Sequence, residues 1–153
     1  MSRYSAAGTV AGTNSASVQC FTLQANSAAA RARIREIGIN VAVSPSNAPA
    51  FYVVRQTVAG TAATTLAGQP HDPSTTVTSS YNLICNSGNG TFSTTGFLRY
   101  GGLATTAGGM LIWTFYDEPL QITPGSGNGI TIVNANATGG TTGTFGAYFC
   151  WDE

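Results

Sequence analysis

The chain has 153 residues and a formal net charge of zero, with six basic residues, all Arg, balanced by six acidic ones. Charged residues make up 8% of the sequence, against about 25% in an average soluble protein. This argues against a protein that neutralises nucleic-acid phosphates with basic clusters, while 42% apolar content argues against a disordered chain.

With so few charges, either hydroxyls and amides keep a monomer in solution or neighbouring subunits cover much of the surface. The length fits one domain with a sizeable core. No apolar run approaches the roughly 18 residues of a membrane span, and no basic-then-apolar leader opens the chain. Neither membrane insertion nor secretion is expected.

Residues 1–16 are Ser, Ala, Gly and Thr with isolated apolar positions at Tyr4 and Val10. They are expected to form an extended N-terminal arm, mobile or laid on a neighbouring subunit. Residues 17–153 form the β domain. Ser17 to Ala25 alternates, with Phe21 and Leu23 on one face and Val18 and Cys20 on the other, as in a strand covered on both sides. Ala28 to Ala32 is the only helix-favouring patch and is too short to stand alone.

Arg31 to Val43 carries the clearest period of two, with Ile37, Ile39, Val41 and Val43 on one side. Ile34 is out of phase with them, which predicts a bulge near Arg35 and Glu36. Arg31, Arg33 and Arg35 alternate and should point to one side, as a solvated or subunit-bridging row or as a phosphate site. A Pro-containing turn follows, then a strand over Phe51 to Val58 whose matching length suggests pairing with its predecessor.

Residues 59–80 are a Gly/Ala/Thr/Ser stretch without a clear period; Thr75 to Thr78 is a candidate edge strand. Tyr81 to Cys85 and Thr91 to Tyr100 are expected strands, joined through Asn86 to Gly90 as a hairpin. Met110 to Tyr116, Leu120 to Ile122, Ile130 to Val133 and Phe145 to Trp151 complete the set. The last is expected to be central, with its end tied down. The sum is an all-β fold: an antiparallel β-sandwich, jelly-roll-like, of about eight or nine strands and no major helix.

Chemistry is sparse. His71 is the single histidine, and the adjacent Asp72 diverges from it rather than orienting it as a hydrolase triad requires. Asp117 and Glu118 point to opposite sides and form a turn before Pro119, with a loop calcium site as the alternative. Cys20, Cys85 and Cys150 are widely spaced, unlike metal or redox pairs, and are expected as small buried residues. The Gly-rich turns lack the context of a phosphate loop. Asn89-Gly-Thr91 and Asn136-Ala-Thr138 match the glycosylation triplet by chance. No enzyme activity, metal or cofactor is expected. Tyr52, Tyr100, Trp113, Tyr116, Tyr148 and Trp151 raise an alternative, a carbohydrate-binding module, although such rings also belong in a core or interface.

The succession Gly109-Met-Leu-Ile-Trp-Thr-Phe-Tyr-Asp-Glu-Pro-Leu, Thr-Pro-Gly-Ser-Gly-Asn-Gly-Ile-Thr-Ile-Val-Asn and the final Tyr-Phe-Cys-Trp-Asp-Glu resembles small all-β structural proteins of tailed bacteriophages. The nearest likeness is to capsid decoration, or cement, proteins with a jelly-roll fold. It covers the last third of the chain, with a weaker echo in Arg35 to Arg55. The resemblance implies a homo-oligomer such as a trimer, seated on the major capsid protein at the virion surface, and no catalysis. Contact residues expected for such a role are Arg3, Tyr4 and Val10 of the arm and Arg31, Arg33 and Arg35.

Overall fold

The computed structural model describes residues 1–12, 17–27, 31–135 and 143–153. Among them are thirteen strands and no helix: β1 (Arg3–Ala11), β2 (Val18–Ala25), β3 (Ala32–Val43), β4 (Ala50–Val58), β5 (Thr61–Ala67), β6 (Gln69–Pro70), β7 (Tyr81–Gly88), β8 (Thr91–Phe92), β9 (Arg99–Gly102), β10 (Met110–Thr114), β11 (Leu120–Ile122), β12 (Gly129–Asn134) and β13 (Thr144–Asp152). They form two antiparallel sheets packed as a β-sandwich, more finely divided than the eight or nine strands expected. The six-stranded sheet runs β10-β3-β13-β1-β6, with β11 also on β3; the seven-stranded sheet runs β5-β7-β2-β12-β4-β8, with β9 also on β4. Residues 13–16 of the expected arm, residues 28–30 of the helix-favouring patch and the Asn136 triplet lie outside the described residues.

The core forms where the two alternating patterns meet. Ile37, Ile39 and Val41 of β3 and Phe145, Phe149 and Trp151 of β13 face Phe21 and Leu23 of β2 and Ile130 and Ile132 of β12. Phe51 meets Phe145 edge to face across the sheets at 5.1 Å, a favoured aromatic geometry. The bulge is where Ile34 places it: Cys150 pairs with Glu36 and Trp151 with Ile34, leaving Arg35 unopposed. That extra residue brings Ala32 and Ile34 back onto the core side. β13 is central, between β3 and β1, and Glu153 exchanges two backbone hydrogen bonds with Ser2.

Four expectations are corrected. Residues 3–11 are not an arm laid on a neighbour; they pair with β13 from Arg3 to Ala11. Their inward positions are Tyr4, Ala6, Gly8 and Val10, and Gly8 is required there, since a Cβ would lie 2.6 Å from Cys85 Sγ and 2.7 Å from Leu66 Cδ1. Strands β3 and β4, of 12 and 9 residues, do not pair; they belong to different sheets. Residues 75–78 are not a strand; β5 and β6 occupy the earlier half of that stretch. The Asn89-Gly90 link makes no hairpin, because β7 pairs with β2 and β5 while β8 pairs with β4, and Thr91 to Tyr100 is split into β8 and β9.

These two-residue links shape the seven-stranded sheet. Residues 59–60 join β4 to β5 and residues 89–90 join β7 to β8, yet each pair of strands is four places apart in the sheet order. Four spacings of ~4.8 Å make about 19 Å, whereas such a link reaches about 11 Å. The sheet must therefore curl until its ends meet, and a Cβ on Gly60 would lie 2.8 Å from Asn86 Nδ2 and 2.9 Å from Gln19 Oε1.

The curl encloses side chains that a flat sandwich would leave in water. Gln19, Thr22, Gln56, Asn86 and Thr131 point away from the main core and are all buried. Burial of these amides and hydroxyls is tolerable because most of them satisfy one another; Asn86 Nδ2 is the one buried side-chain N or O without a hydrogen-bond partner among the described residues. The Thr22 hydroxyl accepts from Gln19 Nε2 at 2.8 Å and lies 2.9 Å from Thr131 Oγ1 and 3.0 Å from Asn86 Oδ1. Gln56 accepts from Gln19 Nε2 and donates to Gln24 Oε1 and the Gly127 carbonyl.

Candidate interface on the outer face of the six-stranded sheet

The residues that alternate with the core set on β1, β13, β3 and β10 form one outward face. Ladder register sets them in rows: Thr9, Gly146, Asn40 and Met110; Ala7, Tyr148, Gly38 and Ile112; Ser5, Cys150, Glu36 and Thr114; then Arg3, Asp152 and Arg33. The first two rows carry no charge. They are also flat: a Cβ at Gly38 would stand inside the Tyr148 ring, so the ring lies down on the β3 backbone. Between β1, β13 and β3 this leaves an open depression of about 320 Å³. Met110 and Ile112, 55% and 47% exposed, rim it on the β10 side.

The lower rows hold the charge. Asp152 is buried and accepts from Arg3 Nε at 2.9 Å and Arg35 Nε at 2.7 Å, while Arg35 Nη1 also donates to the Tyr116 carbonyl at 2.9 Å. Burial alone would push the Asp152 carboxyl up, but hydrogen bonds and charge from Arg3 and Arg35 outweigh it and hold it below its ordinary range. Glu36 accepts from the Tyr148 hydroxyl at 2.6 Å and the Tyr116 hydroxyl at 3.2 Å. Burial, then the Glu36 carboxylate, pushes the Tyr148 phenol up, and the same two causes, in that order, raise the Cys150 thiol.

A group whose folded pKa lies below its unfolded value stabilises the fold above the unfolded value and loses that contribution as pH falls through the folded one. The Asp152 contribution should therefore be complete above the ordinary Asp value of about 3.9 and disappear under stronger acid. Asp152→Asn should cost about 1.5–3 kcal/mol at pH 7, the range for hydrogen bonds to charged groups. Its melting temperature should then fall less than the parent's below pH 4; parallel acid profiles would refute the assignment.

The expected contact residues separate. Arg3 and Arg35 pair with Asp152, and exposed Arg33 lies opposite it in the ladder, whereas Arg31 is exposed just before β3. Tyr4 belongs to the chain's own core, stacked with Trp151 at 6.1 Å and donating to the Val77 carbonyl, so it presents no ring to a neighbour. Val10 packs partly against the same core. Of Gly146, Tyr148, Gly38 and Ile112, the sequence marks only Tyr148, and as a sugar-stacking ring; the signal of the face is an outward set of small and uncharged residues alternating with β-branched and aromatic ones.

Other candidates also find places. His71 donates its backbone N–H to the Arg3 carbonyl and borders a small recess beside Glu36 and Cys150. Asp72 caps its own turn by accepting from Ser74 N and Oγ, a local bond typical of Asp in turns. Asp117 and Glu118 are exposed between β10 and β11. Among the described residues, no group of three or more His, Cys, Asp or Glu side chains is placed to hold a metal ion. The three cysteines are free; burial pushes the Cys20 thiol up to about 12 and raises that of Cys85. Trp113 and Trp151 are core residues. Comparison of the chain with protein-family models, curated proteins and solved structures gave no match.

Proposed function

We propose that this chain is a virion structural protein that decorates or cements a phage capsid lattice, joining copies of itself through the outer face of the six-stranded sheet. The observation that carries this reading is the Tyr148 ring laid on Gly38 between Ala7 and Ile112. It makes a shallow, uncharged patch, the composition expected at the centre of an interface rather than at its rim. The sparse charge of the whole chain agrees with a surface partly covered by neighbours, and the resemblance of the last third to phage decoration proteins supplies the jelly-roll, trimer and capsid parts of the proposal. No catalytic step enters it.

Ala7→Arg tests the contact, because it sets a charge on the patch while replacing an exposed side chain. Its effect on the isolated fold should stay within about 0.5 kcal/mol. Light scattering should find the parent as a closed oligomer and the variant as a monomer with an unchanged β spectrum. Purified particles should retain the parent and lose the variant. A parent that stays monomeric at high concentration and is absent from particles would overturn the proposal.

A further inference from the structure

The opposite side of the sandwich presents a second feature. Tyr52 of β4 and Tyr100 of β9 are paired directly across their ladder, so their side chains share a face. It is the face away from the main core, since Phe51 and Val53, on either side of Tyr52, point inward. Phe97, in the 93–98 link between β8 and β9, folds back over Tyr52 with centroids 4.3 Å apart and planes at 21°. Tyr100 continues the step, 6.3 Å from Phe97 and again at 21°.

The three rings differ in exposure. Tyr52 is 4% exposed and fixed among Val54 and Val133, while Phe97 is 48% and Tyr100 60% exposed. The link is pinned to β4 at both ends, by Ser93 N–H to the Arg55 carbonyl and Leu98 N–H to the Val53 carbonyl. A buried ring thus anchors two open, near-parallel ones, and the platform exists before any ligand arrives.

Its surroundings select the ligand. The cations on the same strands, Arg55 of β4 and Arg99 of β9, alternate onto the other face of the sheet, with Arg55 Nη1 on the Gln121 carbonyl and Arg99 Nη1 on the Leu98 carbonyl. A nucleotide or acidic polymer would find no counter-charge. Exposed Thr94 and Thr95 precede Phe97 in the same link, and the Tyr100 hydroxyl has no partner among the described residues. Apolar ring faces edged by neutral hydroxyls match a pyranose, which has an apolar C–H face and a hydroxyl rim.

We propose that Phe97 and Tyr100, backed by Tyr52, form a stacking platform for a neutral carbohydrate. This does not rest on the capsid reading, because the platform and the proposed interface belong to different sheets. The full chain should be screened on an array of neutral and acidic glycans, then titrated with cellohexaose, maltohexaose and chitohexaose while saturation-transfer NMR is recorded. The expected result is saturable binding of a neutral glycan, with saturation reaching its ring C–H protons. Tyr100→Ala and Phe97→Ala should each weaken it roughly tenfold, the scale of one aromatic contact, with Tyr100→Phe weakening it less. Absence of saturable neutral-glycan binding would overturn the proposal, as would selectivity for acidic glycans alone or equal binding by the Phe97→Ala, Tyr100→Ala double variant. Loss of self-association in Tyr100→Ala would assign the rings to a protein contact instead and also overturn it.

Discussion

Replacing Trp151 with alanine should cost about 3–5 kcal/mol, the range for emptying a large aromatic site in a core. Ordinary domains hold about 5–15 kcal/mol in total, so the variant should be barely folded at 25 °C. The indole is fully buried on β13, stacked on Tyr4, and so close to the β5–β6 link that a Cβ on Gly68 would sit 2.5 Å from its Cζ2. Its N–H donates to Glu153 Oε1 at 2.8 Å, and Glu153 in turn accepts from the Ser79 hydroxyl and the Ser80 N–H. Trp151→Phe keeps most of the burial and loses that hydrogen bond, worth about 1 kcal/mol. Urea unfolding should rank parent, Phe and Ala in that order; a loss under about 1 kcal/mol for Ala would show that this ring does not tie β1 to the core.

The second large effect is expected at Gln56, where leucine has similar bulk but none of the hydrogen bonds. Gln56→Leu should strand the buried Gly127 carbonyl and take one partner each from the Gln19 amide, which keeps Thr22, and from half-buried Gln24 Oε1. The orphaned carbonyl costs about 1–3 kcal/mol and each lost hydrogen bond about 1 kcal/mol, so a total of about 2–4 kcal/mol is expected. Thr131→Val is the internal comparison: it removes one donor to the Phe21 carbonyl and one neighbour of Thr22, and should cost roughly 1 kcal/mol. A neutral Gln56→Leu in chemical denaturation would mean that the enclosed network is dispensable.

That network marks the boundary of what residue pattern can convey. Thr22 and Thr131 alternate with Phe21, Leu23, Ile130 and Ile132, so a period-two reading places them outward, and outward they are. Their burial comes from the brevity of the links at 59–60 and 89–90, which matters only once the sheet order is known. The Asn-Gly pair likewise has the residues of a hairpin, but turn chemistry specifies a bend and not the partner of the strand that follows. Matching the lengths of β3 and β4 misleads for the same reason: length is local, and pairing is not.

Where one side chain sits on a strongly apolar background, the sequence is more informative. The phase slip at Ile34 locates the bulge within a residue, because an apolar side chain on the wet side would be costly. β13 is legible as central from Phe145, Phe149 and Trp151. β1 is not, since two of its four inward positions are the small residues Ala6 and Gly8, the latter lying against Cys85 and Leu66 where a side chain would not fit without displacing them. The shallow face of the candidate interface hides for a related cause: Gly38 and Gly146 read as loop-like residues, and only the ladder reveals Tyr148 and Asn40 lying over them.

The neighbourhood of β13 has a consequence for biosynthesis. It lies between β1 and β3, so a nascent polypeptide emerging from the ribosome holds two strand edges that cannot be joined until residue 152 has been made. Until then both edges are open to pairing with other chains, and closure depends on contacts between distant parts of the sequence, which form slowly. Crowded translation of many copies should thus be the most hazardous moment in this molecule's life, and a slower rate of synthesis or a holding chaperone should raise the yield of correctly closed sheets.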